Sequence, residues 1–172
     1  MFAGFILIFL DFNLNIGESK IDLIPDFLGY IIMIRGLLEM ADESIFFKKV
    51  RPYLTVMVGF SGVLYLLDML GVSASLGVLI YVLGLLYTVL SLYISYNIVM
   101  GVVDIEGIYD IFLNGSNLKF IWTLYAVLSV LTFVLLIIPP FAIVCMIVTF
   151  IVSICFLVAF NNSKNLYYNA IK

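Results

Sequence analysis

Residues 118–160 read LKFIWTLYAVLSVLTFVLLIIPPFAIVCMIVTFIVSICFLVAF. This stretch contains two apolar runs, residues 118–138 and 141–160, which only Pro139 and Pro140 separate. Each run has about the 20 residues that a helix needs to cross roughly 30 Å of hydrocarbon. Paired prolines are typical of a tight turn, because proline breaks helices. The stretch therefore predicts a hairpin of two transmembrane helices.

The composition of the whole chain agrees with a membrane location. The 172 residues are 65% hydrophobic and only 11% charged, whereas soluble domains average about 45–50% and about 25%. A soluble domain of this size needs a charged surface, which eight Lys and Arg and eleven Asp and Glu do not supply. We therefore expect an all-α, polytopic bundle of transmembrane helices. It forms one integral membrane domain over residues 1–172, with the lipid bilayer as its partner.

We expect about six spans. Two further long apolar runs, residues 52–70 and 76–103, are evident. The first 40 residues are less regular, because a polar segment at residues 15–22 separates two shorter apolar stretches and suggests a loop or a re-entrant turn. Five spans plus a half-span is the alternative. The predicted spans are residues 1–14, 24–40, 52–70, 76–103, 118–138 and 141–160.

The distribution of basic residues predicts the orientation in the membrane. Lys and Arg concentrate in cytoplasmic loops. With six spans, Lys20 alone lies on one side, whereas the other side holds Lys48, Lys49, Arg51, Lys119, Lys164 and Lys172. This asymmetry predicts a multi-pass protein with both termini in the cytoplasm.

Two similar segments indicate a parallel repeat of helical hairpins. Residues 34–39 read IRGLLE and residues 99–104 read VMGVVD, and each segment ends an apolar run and leads into a polar loop. Internal repeats of this kind occur in membrane transporters. The alternative is a chance similarity between apolar segments.

Polar side chains inside the predicted spans are the candidate functional residues. An ionisable group at membrane depth costs about 2.5–3.5 kcal/mol on insertion scales and usually faces protein or water. Two hydroxyls one helical turn apart can also form part of a polar stripe. The candidates are Asp11, Asn13, Asp26, Arg35, Glu39, Ser91 and Ser95.

Each candidate also has a structural interpretation. Arg35 and Glu39 are four residues apart, which predicts an ion pair within one helix. Asp26 follows Pro25 and suits a helix N-cap at the outer interface. The hydroxyl stripe either bonds across helices or lines a polar path. Asp11 and Asn13 either face the bundle or a hydrated cavity, or mark the point where the chain leaves the membrane.

The sequence predicts no catalytic residue, no metal site and no cofactor. There is no histidine, which removes the commonest general base and metal ligand. Cys145 and Cys155 would lie about 15 Å apart along one helix, too far for a disulfide or a shared metal. No P-loop or nucleophile–base signature occurs. The net charge of −3 gives no indication of a nucleic-acid partner.

Three segments resemble a group of small bacterial multi-span membrane proteins of unknown function. They read LDFN at residues 10–13, LIPDFLGY at 23–30 and GLLE at 36–39. The resemblance implies a bacterial cytoplasmic membrane and supplies no mechanism. The intramembrane polar groups lead us to expect a transport or channel-type protein for a cation, a proton or a small polar solute. The alternative is a non-catalytic accessory, immunity or assembly subunit, and either would work as a homo-oligomer or with a membrane-protein partner.

Overall fold

The computed structural model describes residues 1–9, 13–16, 19–22, 25–136 and 138–171. In that part of the chain, six α-helices and one β-hairpin occur. The hairpin pairs β1 (Asn13–Ile16) with β2 (Ser19–Asp22) in antiparallel register, with Asn13 opposite Asp22. The helices are α1 (Phe2–Phe9), α2 (Asp26–Glu39), α3 (Ile45–Met69), α4 (Val78–Tyr109), α5 (Gly115–Leu135) and α6 (Pro139–Ile171), with a short 3₁₀ helix at Ser73–Leu76 before α4.

Four helices in the described chain, α3 to α6, are long and apolar enough to cross a membrane. The predicted helical class is confirmed, and the length and apolar composition of these four helices support the predicted transmembrane character. The count of about six spans is not confirmed. The eight residues of α1 and the 14 residues of α2 extend only about 12 Å and about 21 Å, less than the roughly 30 Å of hydrocarbon.

The helix boundaries differ from the predicted spans where hydrogen bonding, rather than hydropathy, decides them. α3 begins at Ile45 instead of residue 52, because the Ser44 hydroxyl accepts a hydrogen bond from the Phe46 amide at 3.2 Å and caps the helix. α6 continues past residue 160 to Ile171. The polar segment at residues 15–22 lies mostly in the β-hairpin, whose strands satisfy backbone groups by pairing.

Contacts between helix ends place the basic residues together. Ser44 donates a hydrogen bond to Asp104 of α4 at 2.6 Å, and Tyr109 donates one to Glu43 at 2.7 Å. The Lys164 ammonium of α6 lies 5.0 Å from the ring centroid of Phe2. We call this the basic end, because it also holds the first two turns of α3 and α5 with Lys48, Lys49, Arg51 and Lys119. The opposite end, with the α3–α4 and α5–α6 connections, is the far end.

Glycines allow α1 to approach α2 closely. A Cβ atom added to Gly29 would lie 2.9 Å from the Gly4 carbonyl oxygen and 2.7 Å from a side-chain carbon of Ile8. One Cβ added to Gly36 would overlap Met1. α1 therefore packs along the glycine face of α2, and α2 packs in turn against α3. This arrangement fixes the position of Asp26 at the start of α2.

Candidate functional site

Three polar side chains from α2 and α4 form a chain of hydrogen bonds. The Tyr87 hydroxyl donates to Asp26 Oδ2 at 2.5 Å, and the Tyr30 hydroxyl donates to the Tyr87 hydroxyl at 3.2 Å. Asp26 and Tyr87 are half-buried, whereas Tyr30 is only 1% exposed. Ser91 is a further polar neighbour of Tyr30. We call Asp26, Tyr30 and Tyr87 the tyrosine–aspartate cluster.

The sequence predicted Asp26 as the N-cap of α2. In the structure, Asp26 is instead the first residue of the helix. Pro25 occupies the cap position with φ −58° and ψ 134°, and its carbonyl accepts a hydrogen bond from the Leu28 amide at 3.0 Å. The fixed φ of proline and its extended ψ suit this position. The Asp26 carboxylate therefore sits in the first turn, where the helix dipole favours negative charge, and reaches across to α4.

The tyrosine–aspartate cluster lies well below the far ends of the long helices. Tyr87 is about 14 Å along α4 from Val78, at roughly 1.5 Å per residue. Its ring centroid lies 6.2 Å from that of Phe60 in α3, and α3 continues about 14 Å beyond Phe60 to Met69. The start of α2 is therefore inside the thickness that α3 and α4 span. A helix that begins at such a depth has backbone N–H groups without partners in its own helix, and these groups must contact protein or water.

Arg35 and Glu39 do not form the predicted ion pair. Both side chains belong to the described chain, where both are exposed and no ion pair joins them. α2 and α3 form an antiparallel hairpin around residues 40–44, so that Arg35 lies only about 6 Å from the end of α2, level with Lys49. A long side chain at that level reaches the interface and needs no counter-ion from its own helix.

The two serines of the predicted hydroxyl stripe have different partners: Ser95 contacts α5, and Ser91 contacts the tyrosine–aspartate cluster. Trp122 of α5 donates a hydrogen bond from Nε1 to the Ser95 hydroxyl at 2.9 Å, and Ser95 itself donates to the Leu92 carbonyl at 3.1 Å. Thr88 donates to the Gly84 carbonyl within its own helix at 3.0 Å. Ser95 therefore links α4 to α5, whereas Ser91 faces Tyr30.

Two further candidates fall at the edge of what the structure describes. Asp11 lies outside the described residues. Asn13 begins β1, where it is opposite Asp22, and its side chain lies outside the described part of the chain. The structure therefore brings Asp26 and Ser91 together and does not group them with Arg35, Glu39 or Ser95.

A cavity of about 260 Å³ opens at the basic end. Its apolar surface comes from α3, α4, α6 and the α4–α5 connection, and its polar wall comes from the ends of α2 and α6. We call it the basic-end cavity. The apolar residues include Phe47, Val102, Ile105, Leu113 and Phe160, and the polar side chains include Glu39, Ser163, Lys164 and Tyr167.

The polar side chains that line the basic-end cavity do not pair with one another in the described chain. Ser163 is 2% exposed, and its hydroxyl has no hydrogen-bond partner in the described chain. Glu39 and Lys164 carry opposite charges, yet no ion pair joins these two described residues. Lys164 lies over the Phe2 ring instead, in a cation–π contact. Burial lowers the pKa of the nearby Met1 amino group, against the opposing effect of the Glu39 carboxylate.

Sequence reasoning missed the partners of Asp26 and the residues of the cavity. A tyrosine inside an apolar span signals a hydroxyl that needs a partner, which would have singled out Tyr30 and Tyr87. Ser163 and Lys164 lie beyond the last predicted span, residues 141–160. Their spacing from Phe156 and Phe160 continues the helical period, which would have indicated that α6 extends and that these residues face the bundle.

The described residues contain no group of three or more His, Cys, Asp or Glu side chains that could hold a metal ion. Within the described residues, the tyrosine–aspartate cluster offers one carboxylate and two phenolic hydroxyls. Comparison of the chain with protein-family models, curated proteins and solved structures finds no match.

Proposed function

We propose that this chain is a small transport or channel-type membrane protein for a cation, a proton or a small polar solute, with Asp26 as its central binding group. The observation that carries the proposal is the hydrogen-bonded chain from Asp26 through Tyr87 to Tyr30, well inside the span of α3 and α4. Carboxylates at such depth are costly and commonly mark ion and proton pathways.

The hydrogen bond between Tyr87 and Asp26 supplies a mechanism of exchange. A phenol that donates to an ionised carboxylate forms a charge-assisted bond. A proton or a cation that reaches Asp26 neutralises the carboxylate and weakens this bond. Tyr87 is then released, and its hydroxyl keeps Tyr30 as a partner. Occupancy of Asp26 would thereby change the contact between α2 and α4. The protein would have two conformations, with Tyr87 bonded to Asp26 or released from it, and the transported species would shift the equilibrium between them.

The shape of the first part of the chain supports this proposal. Helices that begin inside the membrane, with irregular segments beside them, form the substrate sites of many secondary transporters. Here α2 begins at Asp26 below the far ends of its neighbours, and the β-hairpin precedes it along the chain and packs against α3. The similarity to such transporters lies in the start of α2 alone and does not extend to the rest of the fold.

For the orientation we propose that the basic end is cytoplasmic in a bacterial cytoplasmic membrane. Lys and Arg favour the cytoplasmic side, and residues 1 and 164 lie at that same end. We propose that α1 and α2 form two partial spans beside the four long helices, which keeps residues 1 and 171 at the basic end. A parallel repeat is supported by the contacts of two glycines, because Gly36 packs against Met1 and Gly101 against Phe47.

Flux measurements in proteoliposomes test the proposal. The wild-type chain, Asp26→Asn and Asp42→Asn are reconstituted separately, and proton, Na⁺, K⁺ and small-solute fluxes are measured with internal dyes or radiolabelled solutes. Asp42 is the matched control, because its side chain is 97% exposed at the basic end. We expect wild-type and Asp42→Asn flux to be equal. Asp26→Asn flux should be at least about tenfold lower, because a hydrogen bond to a charged group contributes about 1.5–3 kcal/mol and each step of about 1.4 kcal/mol is a factor of ten.

Two outcomes would contradict the proposal. Wild-type flux that Asp26→Asn leaves intact would remove Asp26 from the pathway. Wild-type vesicles that are no more permeable than empty vesicles to every tested species would remove the transport function itself.

The second candidate function is a non-catalytic accessory, immunity or assembly subunit. The bond between Trp122 and Ser95 favours it, because this part of the hydroxyl stripe is used for packing and not for a path. The exposed Arg35 and Glu39 also offer charged contacts to a neighbouring protein. A partner, or a second copy of the chain, that co-purifies at fixed stoichiometry in mild detergent would support this function if the purified chain carries no flux.

A further inference from the structure

We propose that the basic-end cavity binds a zwitterionic amphiphile, a molecule that joins an ammonium group and an anionic group to an apolar body. This site is separate from the tyrosine–aspartate cluster. It lies at the opposite end of α2, beside Glu39, and the proposal does not depend on transport through Asp26.

The Ser163 hydroxyl is a buried polar group without a partner in the described chain. Buried polar groups in proteins nearly always have a hydrogen-bond partner, and each exception calls for an explanation such as a ligand or water. Ser163 is 2% exposed, lines the cavity and has no partner in the described chain. The hydroxyl oxygen itself is closed to water, so a polar ligand atom in the cavity would supply that partner after the Ser163 side chain rotates about its Cα–Cβ bond.

Charges of both signs line the cavity. Glu39 is negative, whereas Lys164 and the Met1 amino group are cationic, and within the described residues no ion pair joins Glu39 to either of them. A ligand with one sign of charge would be attracted by one side of this set and repelled by the other. A zwitterion satisfies both, with its ammonium group near Glu39 and its anionic group near Lys164.

The size and composition of the cavity limit the kind of molecule that it can hold. Its volume of about 260 Å³ exceeds the roughly 150 Å³ that holds benzene and falls below the about 300–1,000 Å³ typical of drug-sized pockets. Phe47, Ile105 and Phe160 give it an apolar surface. The ligand therefore has a compact charged part beside apolar groups. This chemistry occurs in phosphatidylethanolamine, from the bilayer, and in a free apolar amino acid, from water.

Binding measurements on the delipidated chain in detergent test the proposal and distinguish the two sources. Native mass spectrometry measures the binding of dioleoylphosphatidylethanolamine and of dioleoylphosphatidylglycerol, which lacks the ammonium group. Equilibrium dialysis measures the binding of radiolabelled L-phenylalanine. The variants are Glu39→Gln, Lys164→Gln and Ser163→Ala. The matched controls are Lys119→Gln, at the same end of the bundle, and Ser153→Ala, whose hydroxyl has a partner in the Phe150 carbonyl.

We expect Glu39→Gln and Lys164→Gln each to weaken binding of the zwitterion at least about tenfold, as for loss of a charge-assisted hydrogen bond. Ser163→Ala weakens it less, and both controls bind as the wild type does. Phosphatidylglycerol binds more weakly than phosphatidylethanolamine, and Glu39→Gln strengthens its binding, because the variant removes the carboxylate that repels the anion. Should Lys164→Gln fail to fold, Lys164→Met keeps an apolar stem over Phe2 and removes only the charge.

Binding of phosphatidylethanolamine alone assigns the ligand to the bilayer, and binding of phenylalanine alone assigns it to water. Either result supports the proposal when Glu39 and Lys164 are both required. The proposal is overturned if neither zwitterion binds to the wild type, or if the two charge-removing variants bind it as tightly as the controls do.

Discussion

The tyrosine–aspartate cluster and the basic-end cavity are polar regions of one bundle with opposite hydrogen-bond status. In the cluster, the hydroxyls of Tyr87 and Tyr30 each donate to a defined acceptor. In the cavity, the Ser163 hydroxyl has no partner in the described chain, and the charges of Glu39 and Lys164 are not paired with each other. Removal of a hydroxyl from the cluster should therefore lower the free energy of unfolding, whereas removal of the Ser163 hydroxyl from the cavity should raise it.

The largest expected effect concerns the helix contact that positions Asp26. A Cβ atom at Gly29 would lie 2.9 Å from the Gly4 carbonyl oxygen, and backbone cannot move aside as a side chain can. We expect Gly29→Ala to lower the free energy of unfolding by about 1–3 kcal/mol. Gly59→Ala is the control, because beyond the adjacent backbone of its own helix no atom lies within 4 Å of the added Cβ. It should raise stability by up to about 1 kcal/mol through helix propensity.

Denaturant unfolding of both glycine variants in detergent provides the measurement. Equal stability of Gly29→Ala and Gly59→Ala would show that α1 and α2 do not approach closely, and the position of Asp26 would then be unsupported.

The next effect concerns the cluster directly. Tyr87→Phe removes the donor to Asp26 and the acceptor of Tyr30, so we expect a loss of about 1–3 kcal/mol in the free energy of unfolding. Tyr81→Phe, two turns earlier on α4 and 62% exposed, should leave stability unchanged. The same unfolding assay compares the two. An equal response of both variants would mean that the cluster contributes nothing to the bundle.

Ser163→Ala should have the opposite sign. The substitution removes a buried hydroxyl that has no partner, so the ligand-free chain should gain about 1 kcal/mol. Ser153→Ala, also on α6 and also buried, loses a bonded hydroxyl and should not gain stability. The comparison requires delipidated protein. A loss of stability in Ser163→Ala would indicate that the serine hydroxyl has a partner without a ligand, and Ser163 would then give no support to a ligand site.

The smallest effect is expected at an exposed ion pair. Lys48 and Asp42 are 3.0 Å apart, and their side chains are 60% and 97% exposed. Exposed pairs contribute little, because water and salt screen them. Asp42→Asn should therefore unfold as the wild type does. A clear loss of stability would show that the basic end is shielded from water.

The sequence predicted the long helices better than the contacts between them. The apolar runs and Pro139-Pro140 were sufficient for α5 and α6, because lipid selects for uninterrupted hydrophobicity. The extension of α6 to Ile171 was missed, because a helix continues into water without any change in its hydrogen bonds. Asp26 was identified by its cost in lipid, but its partner Tyr87 was not, since helical spacing does not reveal which faces meet.

The most direct test of the central claim is the water accessibility of position 26. Cys145 and Cys155 are replaced by alanine, and single cysteines are placed at positions 26, 42 and 127. Right-side-out bacterial membrane vesicles are then treated with a membrane-impermeant methanethiosulfonate reagent. Position 42 represents the basic end, and position 127 represents the outer surface of α5, where Val127 is 60% exposed.

We predict that the cysteine at position 26 is modified from outside, whereas that at position 42 reacts only when the reagent is inside the vesicles. The cysteine at position 127 faces lipid and should react from neither side. A cysteine at position 26 that is unreactive from both sides would mean that Asp26 lies in dry protein or lipid. That result would contradict a polar pathway through the tyrosine–aspartate cluster.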